Sequence, residues 1–135
     1  MTFAQWPTSE IYNAPLRVGS DIRDALEHGN GEREVEDVIQ ELLRGDKQLW
    51  LKTINNEFVL TVITQVYDAP RKRICEITYL GGEEVMSFIG DIKEIELWAK
   101  SNDCTDITVI GRKGWARALK GHGYSTRYVT IGKKL

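Results

Sequence analysis

The residues best suited to metal binding or nucleophilic catalysis are few and widely separated. The 135-residue chain has two histidines, His28 and His122, and two cysteines, Cys75 and Cys104. None of these four stands at the short spacing that metal ligands require, so no metal site is predicted. A Ser-His-Asp or Cys-His nucleophile stays open, although the chain has no Gly-x-Ser-x-Gly turn to present a serine. The cysteines are interpreted as small core residues of a reducing compartment.

Positive charge is concentrated at the C-terminal end of the chain. Residues 112–135 hold seven basic residues and no acidic one, whereas the preceding 111 residues hold 11 basic and 20 acidic ones. This segment is a candidate surface for an acidic or anionic partner. The alternative is a solvated basic face that balances the acidic body of the same fold.

Aromatic and basic residues supply the candidate contacts to a partner protein, because such side chains often anchor interfaces. The candidates are Trp6, Trp115, Arg117, Lys120 and Arg127. For Trp6, packing back onto its own domain is the alternative. The sequence pI of about 5.7 disfavours a general nucleic-acid binder.

Composition limits the class of protein. The chain is 41% hydrophobic and 28% charged, which excludes a disordered chain, a collagen and a coiled-coil rod. No apolar stretch is long enough for a membrane span. The N-terminus lacks the basic region and apolar core of a secretory signal, so we expect a protein that is not secreted.

The elements that must position these residues alternate between helix and strand patterns. Residues 1–19 predict an irregular arm that can include one short strand, and residues 20–135 predict a single domain. Within that domain we expect a helix at 20–26 capped by Ser20, a helix at 34–44, strands at 48–54, 58–67 and 73–80, a helix at 83–100, a strand at 106–110, a helix at 114–120 and a strand at 125–131. Because the strand at 106–110 follows a helical crossover, it should run parallel to the strand at 73–80.

The end of the chain carries a resemblance to a known family. Its residues are Gly114-Trp115-Ala116-Arg117-Ala118-Leu119-Lys120-Gly121-His122-Gly123-Tyr124, followed by a strand-like run and Lys133-Lys134-Leu135. This resembles the closing helix, Gly-aromatic step and final strand of the GNAT acetyltransferase superfamily, and the order of elements over residues 20–135 is similar. The resemblance implies an α+β fold, with a mixed, mostly antiparallel sheet and helices on both faces. In its overall sequence texture, including the segment Ile110-Gly111-Arg112-Lys113-Gly114-Trp115, the chain also resembles small GNAT-like proteins encoded among the head and tail genes of tailed bacteriophages.

The family resemblance implies where acetyl-CoA and a catalytic base would lie. In that family two parallel strands splay apart to bind pantetheine, and a glycine-containing loop binds the pyrophosphate. The corresponding cofactor-binding candidates here are Leu80, Gly81, Gly82, Arg112 and Lys113, with Arg117 and Lys120 as alternative phosphate contacts. Glu76 is placed like the family's general base, and a solvent-facing strand residue is the alternative.

Three residues depart from the family pattern. Glu83 and Glu84 occupy the first turn where a pyrophosphate would sit, and like charges in a partly dry site repel strongly. The alternative is a structural role: Gly81-Gly82 ends a strand, and the two carboxylates interact favourably with the dipole of the helix that follows. Leu119 stands where the family has a proton-donating tyrosine, and leucine cannot donate a proton.

These departures predict a catalytically degenerate GNAT-like protein that acts by binding protein and needs no cofactor. The phage resemblance implies a virion or assembly protein in the host cytoplasm, with other virion proteins as partners. The alternative is an acetyl-CoA-dependent N-acetyltransferase with an atypical phosphate loop. A third hypothesis is a host-directed inhibitor. The sequence does not specify the partner, the oligomeric state or an acceptor substrate.

Overall fold

Five strands form one sheet in the order β1-β2-β3-β4-β5. The structure, a computed structural model, describes residues 1–29, 31–83, 85–111 and 113–135. The strands are Thr2–Trp6 (β1), Lys47–Ile54 (β2), Glu57–Ala69 (β3), Lys72–Gly82 (β4) and Asp106–Val109 (β5). Strands β1 to β4 are antiparallel, and β5 is parallel to β4. This confirms the predicted mixed, mostly antiparallel sheet and the parallel crossover.

Helices cover both faces of the sheet, as predicted. The helices are Arg17–Leu26 (α1), Val35–Leu43 (α2), Ile92–Ser101 (α3) and Lys113–Leu119 (α4), with 3-10 helices at Thr8–Asn13, Val85–Gly90 and Lys120–His122. Helices α1 and α2 bury Ile22 and Leu42 against Ile63 of the sheet. On the opposite face, α3 and α4 bury Ile95 and Leu119 in a second apolar cluster.

Local chemistry explains the elements that the sequence predicts well. Helix α2 begins after Glu34, whose backbone N–H donates to the Asp37 carboxylate at 2.9 Å. Its apolar positions Val38 and Leu42 are fully buried. Asn55 and Asn56 have φ values of 51° and 65°, the left-handed backbone that a two-residue hairpin turn requires.

The N-terminal segment is more regular than predicted. Strand β1 pairs with β2, with Trp6 opposite Leu49, so most of the expected irregular arm is an edge strand and a 3-10 helix. Helix α1 begins at Arg17. Ser20 therefore lies inside the helix, where its hydroxyl donates to the Arg17 carbonyl at 3.1 Å, and the predicted Ser20 cap is wrong.

The predicted helix at 83–100 is wrong in its first half. A 3-10 helix, Val85–Gly90, precedes α3, which begins at Ile92. Lys52 of β2 reaches this junction: its Nζ lies 2.6 Å from Asp91 Oδ2 and 2.9 Å from Ser87 Oγ. Because Lys52 is only 2% exposed, its ion pair fixes the chain at the junction between the two helices.

The predicted strand at 125–131 is also wrong. Among the described residues none from 124 to 135 is in a strand, and residues 125–135 are exposed throughout. β5 is the last strand of the sheet. The alternating sequence favours a strand, but a strand also needs the backbone of a partner, and this segment contacts the sheet through the Arg127 side chain instead.

Candidate active site

Strands β4 and β5 pair over a short length and then separate. Their register runs from Ile74 opposite Asp106 to Ile77 opposite Val109, and the Ile110 N–H donates to the Ile77 carbonyl at 3.1 Å. Beyond this point β4 continues to Gly82 and pairs only with β3. On the β5 side of β4, the backbone of residues 78–82 is thus free of strand pairing in the described structure. Such an edge can bind the amides of an extended ligand.

A bulge at Thr78 accompanies this separation. The β3–β4 register shifts there, because Ile63 lies opposite Tyr79 whereas Thr64 lies opposite Ile77. The Thr78 hydroxyl donates to the Ile63 carbonyl at 3.1 Å. A bulge bends and twists its strand, and this one lies directly after Ile77, the last residue of β4 that pairs with β5.

Glu76 lies on the paired side of this divergence and faces helices α1 and α2. It is 8% exposed, so the expectation of a solvent-facing residue is wrong. Its Oε1 accepts a hydrogen bond from Gln65 Nε2 at 3.0 Å. Burial raises the pKa of Glu76, while the Gln65 hydrogen bond and the charge of Lys47 oppose the increase. A carboxylate with raised proton affinity beside an open strand edge has the properties of a general base.

The two glycines at the end of β4 are required by packing. A Cβ at Gly81 would overlap the Asp21 carbonyl oxygen, and one at Gly82 would lie 2.6 Å from the Val59 carbonyl oxygen. Gly82 also has a φ of 116°, which favours glycine. The glycines thus allow α1 and β3 to approach β4, which supports their structural interpretation over a phosphate cradle.

The loop after β4 has few features of a regular phosphate-binding site. The Glu83 N–H donates to the Val59 carbonyl at 2.7 Å, so this amide is already bonded within the protein. The expected helix-dipole role of Glu83 is wrong, because the α-helix starts only at Ile92. Glu84 lies outside the described residues. Leu80 is partly buried against the apolar cluster beneath α3.

The position of the family's proton-donating tyrosine belongs to the core. Leu119 is 2% exposed and packs in the cluster beneath α3. The nearby Tyr124 hydroxyl donates to Glu96 Oε2 at 2.5 Å. Burial, reinforced by the Glu96 carboxylate, raises the pKa of Tyr124. The hydroxyl proton of Tyr124 is therefore engaged in the hydrogen bond to Glu96.

The structure separates the candidate basic residues into different environments. Arg112 and the Lys113 side chain lie outside the described residues. Arg117 and Lys120 are exposed on α4 and the turn that follows it, where they can meet an anion. Arg127 Nη1 is instead 2.7 Å from Asp106 Oδ2.

Both tryptophan candidates for partner contact pack within their own chain. Trp6 Nε1 donates to the Glu10 carbonyl at 2.6 Å, and its ring meets Phe58 edge-on. Trp115 meets Phe88 edge-on. Trp6 therefore folds back onto its own domain, as its alternative interpretation expected, and neither ring stands free as an anchor.

Asp106 fixes the C-terminal segment to the start of β5, and we expect Asp106→Asn to release it. The carboxylate contacts Thr105 Oγ1 at 2.7 Å, Arg127 and, at 3.2 Å, Lys72. These contacts lower its pKa to about 2. The attachment should therefore persist as the pH falls through 3.8, the ordinary pKa of aspartate, and it should be lost only when the pH reaches about 2.

Backbone ¹⁵N relaxation of residues 125–135 measures this release. The heteronuclear NOE should fall in Asp106→Asn and stay unchanged in Asp46→Asn, which loses an exposed pair with Arg44. An equal NOE in wild type and Asp106→Asn would show that the segment is held by other contacts.

The described residues meet neither the requirements of a metal site nor those of a membrane-spanning helix. No group of three or more His, Cys, Asp or Glu side chains in the described part of the chain is placed to hold a metal ion. Of the helices formed by described residues, none has the length and apolar character to cross a membrane.

Comparison with known proteins identifies the fold. No protein-family model and no curated protein sequence matches the chain. Among solved structures it is similar to a predicted acetyltransferase with acetyl-CoA from Clostridium acetobutylicum, at a TM-score of 0.70 and 15% identity, covering 97% of this chain and 95% of that one. It is also similar to an aminoglycoside acetyltransferase from an uncultured soil metagenomic sample, in complex with sisomicin (TM-score 0.69, 11% identity, 99% and 95% covered). A third is a ribosomal-protein-alanine N-acetyltransferase from Brucella melitensis (TM-score 0.65, 7% identity, 100% of both chains covered). The chain therefore has a GNAT-like fold.

Proposed function

We propose that the protein is an acetyl-CoA-dependent N-acetyltransferase in which Glu76 is the general base. The observation that carries this proposal is the buried Glu76 carboxyl group, with its raised pKa, beside the point where β4 and β5 separate. A base works best when its pKa approaches the operating pH. The similar solved structures that are acetyltransferases support the same function.

The chemistry that the site would perform is acyl transfer to an amine. Acetyl-CoA would supply the acetyl group as a thioester. A C–N bond forms between the acceptor nitrogen and the acetyl carbon, and the C–S bond breaks to release the CoA thiolate. The proton lost by the amine goes to Glu76, which returns it to solvent or to the thiolate. Neither Leu119 nor the hydrogen-bonded Tyr124 is required for this balance.

The free edge of β4 and the exposed cations would hold acetyl-CoA. The backbone groups of Leu80, Gly81 and Gly82 lie along the edge where pantetheine amides would bind. Because the Glu83 amide is occupied, we assign the phosphates to cations in place of a loop. Arg117 and Lys120 are exposed, and Arg112 and Lys113 remain proposed contacts.

Release of free thiol from acetyl-CoA, measured with representative amines, tests this function. The amines should include a polyamine, an aminoglycoside and a peptide with a free N-terminus. We expect at least one class to give release above the blank, with the acetylated amine identified by mass spectrometry. Absence of thiol release and of acetylated product with every class would contradict the proposal.

Charge reversal at the phosphate contacts should weaken acetyl-CoA binding. For Arg117→Glu and Lys120→Glu we expect the KM for acetyl-CoA to rise about tenfold, because each removes a charge-assisted contact and introduces repulsion. Lys100→Glu, an exposed reversal on α3, serves as the matched control. If Arg117→Glu and Lys120→Glu kept the wild-type KM as the control does, the assignment of the phosphates to α4 would fail.

A second candidate function, protein binding without catalysis, is favoured by the C-terminal segment. Tyr128, Val129 and Ile131 are 74% to 92% exposed, and Lys133 and Lys134 flank this apolar run. Such a segment fits a partner with an acidic rim around an apolar patch. A virion or assembly role would be tested by detection of the protein in purified phage particles. For a host-directed inhibitor, the protein would instead be absent from particles and would capture a host protein from lysate.

A further inference from the structure

A row of polar side chains crosses the sheet beneath α1 and α2. The row consists of Lys47 on β2, Gln65 on β3, Glu76 on β4 and Thr108 on β5, each opposite the next in strand register. Lys47 is 2% exposed and Glu76 is 8% exposed. Buried charges are costly unless they are paired and hydrogen-bonded, so the contacts within this row determine whether it can exist.

The chemistry of the two end groups fixes the orientation of Gln65. Lys47 Nζ donates to Gln65 Oε1, and Gln65 Nε2 donates to Glu76 Oε1 at 3.0 Å. An ammonium group can only donate hydrogen bonds and a carboxylate can only accept them. The amide therefore has one orientation that satisfies both neighbours, and it links Lys47 to Glu76.

Helix α2 holds the far end of the row. Lys47 Nζ lies 3.4 Å from Glu41 Oε2, and Arg33 Nε binds the other oxygen of Glu41 at 2.7 Å. Tyr79 of β4 also faces Lys47, with its ring centroid 6.0 Å from Nζ.

Other ionisable groups near Glu76 belong to both sheet faces. Tyr67 of β3 interacts electrostatically with Glu76 and with Tyr128 of the C-terminal segment. Cys75, on the opposite face, also interacts with Glu76. Lys47 is the charge that acts on Glu76 itself to favour its ionised form.

The β5 end of the row has a buried polar atom without a hydrogen-bond partner among the described residues. Thr108, in register with Glu76, has a buried Oγ1 for which the described residues provide no hydrogen-bond partner. Gln65 occupies Oε1 of Glu76. A polar group entering from β5 would thus meet a hydroxyl group and the second carboxylate oxygen.

We propose that Lys47 and Gln65 are positioning residues for Glu76: the ammonium group fixes the Gln65 amide, and the amide holds Oε1 so that the other carboxylate oxygen faces an acceptor amine beside Thr108. This inference rests on the proposed function for the identity of the ligand. The coupling between Lys47 and Glu76 is a property of the folded chain alone, and it can be measured without turnover.

The test is a ¹³C NMR titration of the Glu76 carboxyl carbon in the full-length protein, assigned by comparison with Glu76→Gln. In Lys47→Met and in Gln65→Leu we expect the pKa of Glu76 to rise by about one unit, because each change removes an interaction that favours the carboxylate. In an active enzyme, the increase of kcat/KM with pH should shift to a higher pH by the same amount.

Lys52→Met is the matched control. Lys52 lies on the same strand, is equally buried at 2% exposed, and pairs with Asp91 on the opposite face. It should lose stability without changing the pKa of Glu76. If Lys47→Met does not fold, Gln65→Leu decides the question.

The outcomes separate the two proposals. An unchanged pKa in the folded Lys47 and Gln65 variants would overturn the positioning role, and so would an equal increase in Lys52→Met. A selective increase in a protein that never releases thiol would support the Lys47–Gln65–Glu76 coupling while contradicting the acetyltransferase function.

Discussion

Glu76→Gln is expected to lower kcat for amine acetylation by about 10² to 10⁴-fold, the range contributed by a positioned general base. Glutamine has nearly the same shape and can still accept the hydrogen bond from Gln65, but it cannot take a proton. Since burial raises the pKa of Glu76 above its ordinary 4.5, the wild-type rate should increase with pH through that raised value. The variant should lack this dependence. Steady-state kinetics across pH measure both effects.

Glu57→Gln is the control for this substitution. Glu57 is an exposed carboxylate on β3 of the same sheet, so its replacement should leave kcat and the pH profile unchanged. Glu57→Gln should unfold at the same denaturant concentration as wild type, and the same measurement shows whether Glu76→Gln is folded under the conditions of the assay. A Glu76→Gln variant that is folded and retains full activity would exclude Glu76 as the base.

Gly82→Ala is expected to destabilise the protein by about 2 to 6 kcal/mol, the sum of two effects of the one added methyl group. The added Cβ would lie 2.6 Å from the Val59 carbonyl oxygen and 3.1 Å from Asp21 Oδ2. Overpacking adds to the strain of an alanine at a φ of 116°, and each contributes about 1 to 3 kcal/mol. Chemical denaturation followed by circular dichroism measures the change in the free energy of unfolding.

Gly121→Ala provides the comparison, because no atom lies within 4 Å of its added Cβ. It should change the free energy of unfolding by no more than about 0.5 kcal/mol. The loss in Gly82→Ala should occur without acetyl-CoA, since the glycine is required for packing. A Gly82→Ala variant of unchanged stability but much weaker acetyl-CoA binding would instead assign this glycine to a phosphate cradle.

Sequence patterns predict the elements whose causes are local. Helix α2 follows from the spacing of Val38 and Leu42 and from acidic residues in its first turn. The β2–β3 hairpin follows from two β-rich runs around Asn55-Asn56. Strand β5 is parallel to β4 because a helical crossover separates them. The types of these elements and their order along the chain are therefore enough to predict a GNAT-like sheet.

The features that the sequence does not predict depend on contacts distant along the chain. Glu76 alternates with Cys75 and Ile77, which predicts a polar outer face; it is buried because α1 and α2 cover that face and Lys47 supplies a charge from β2. The break before α3 depends on Lys52, which is 39 residues from Asp91. Neither interaction leaves a pattern in nearby residues, although two lysines in the apolar strand β2 are a signal that buried ion pairs are present.

In the segment at 125–131, a local pattern is present but the predicted element does not form. Its alternation is a local signal for a strand, but pairing requires a neighbouring backbone that no local pattern can guarantee. The tail is attached through Arg127 and Asp106 instead.

Titration of ¹⁵N-labelled protein with coenzyme A tests the acetyltransferase account most directly, because ligand binding at the divergence of β4 and β5 must precede any transfer. The account predicts saturable shifts concentrated on the amides of residues 78–82 and of Ile110, with smaller shifts on α4. Spectra that remain unchanged up to millimolar coenzyme A, or shifts confined to residues 125–135, would contradict it.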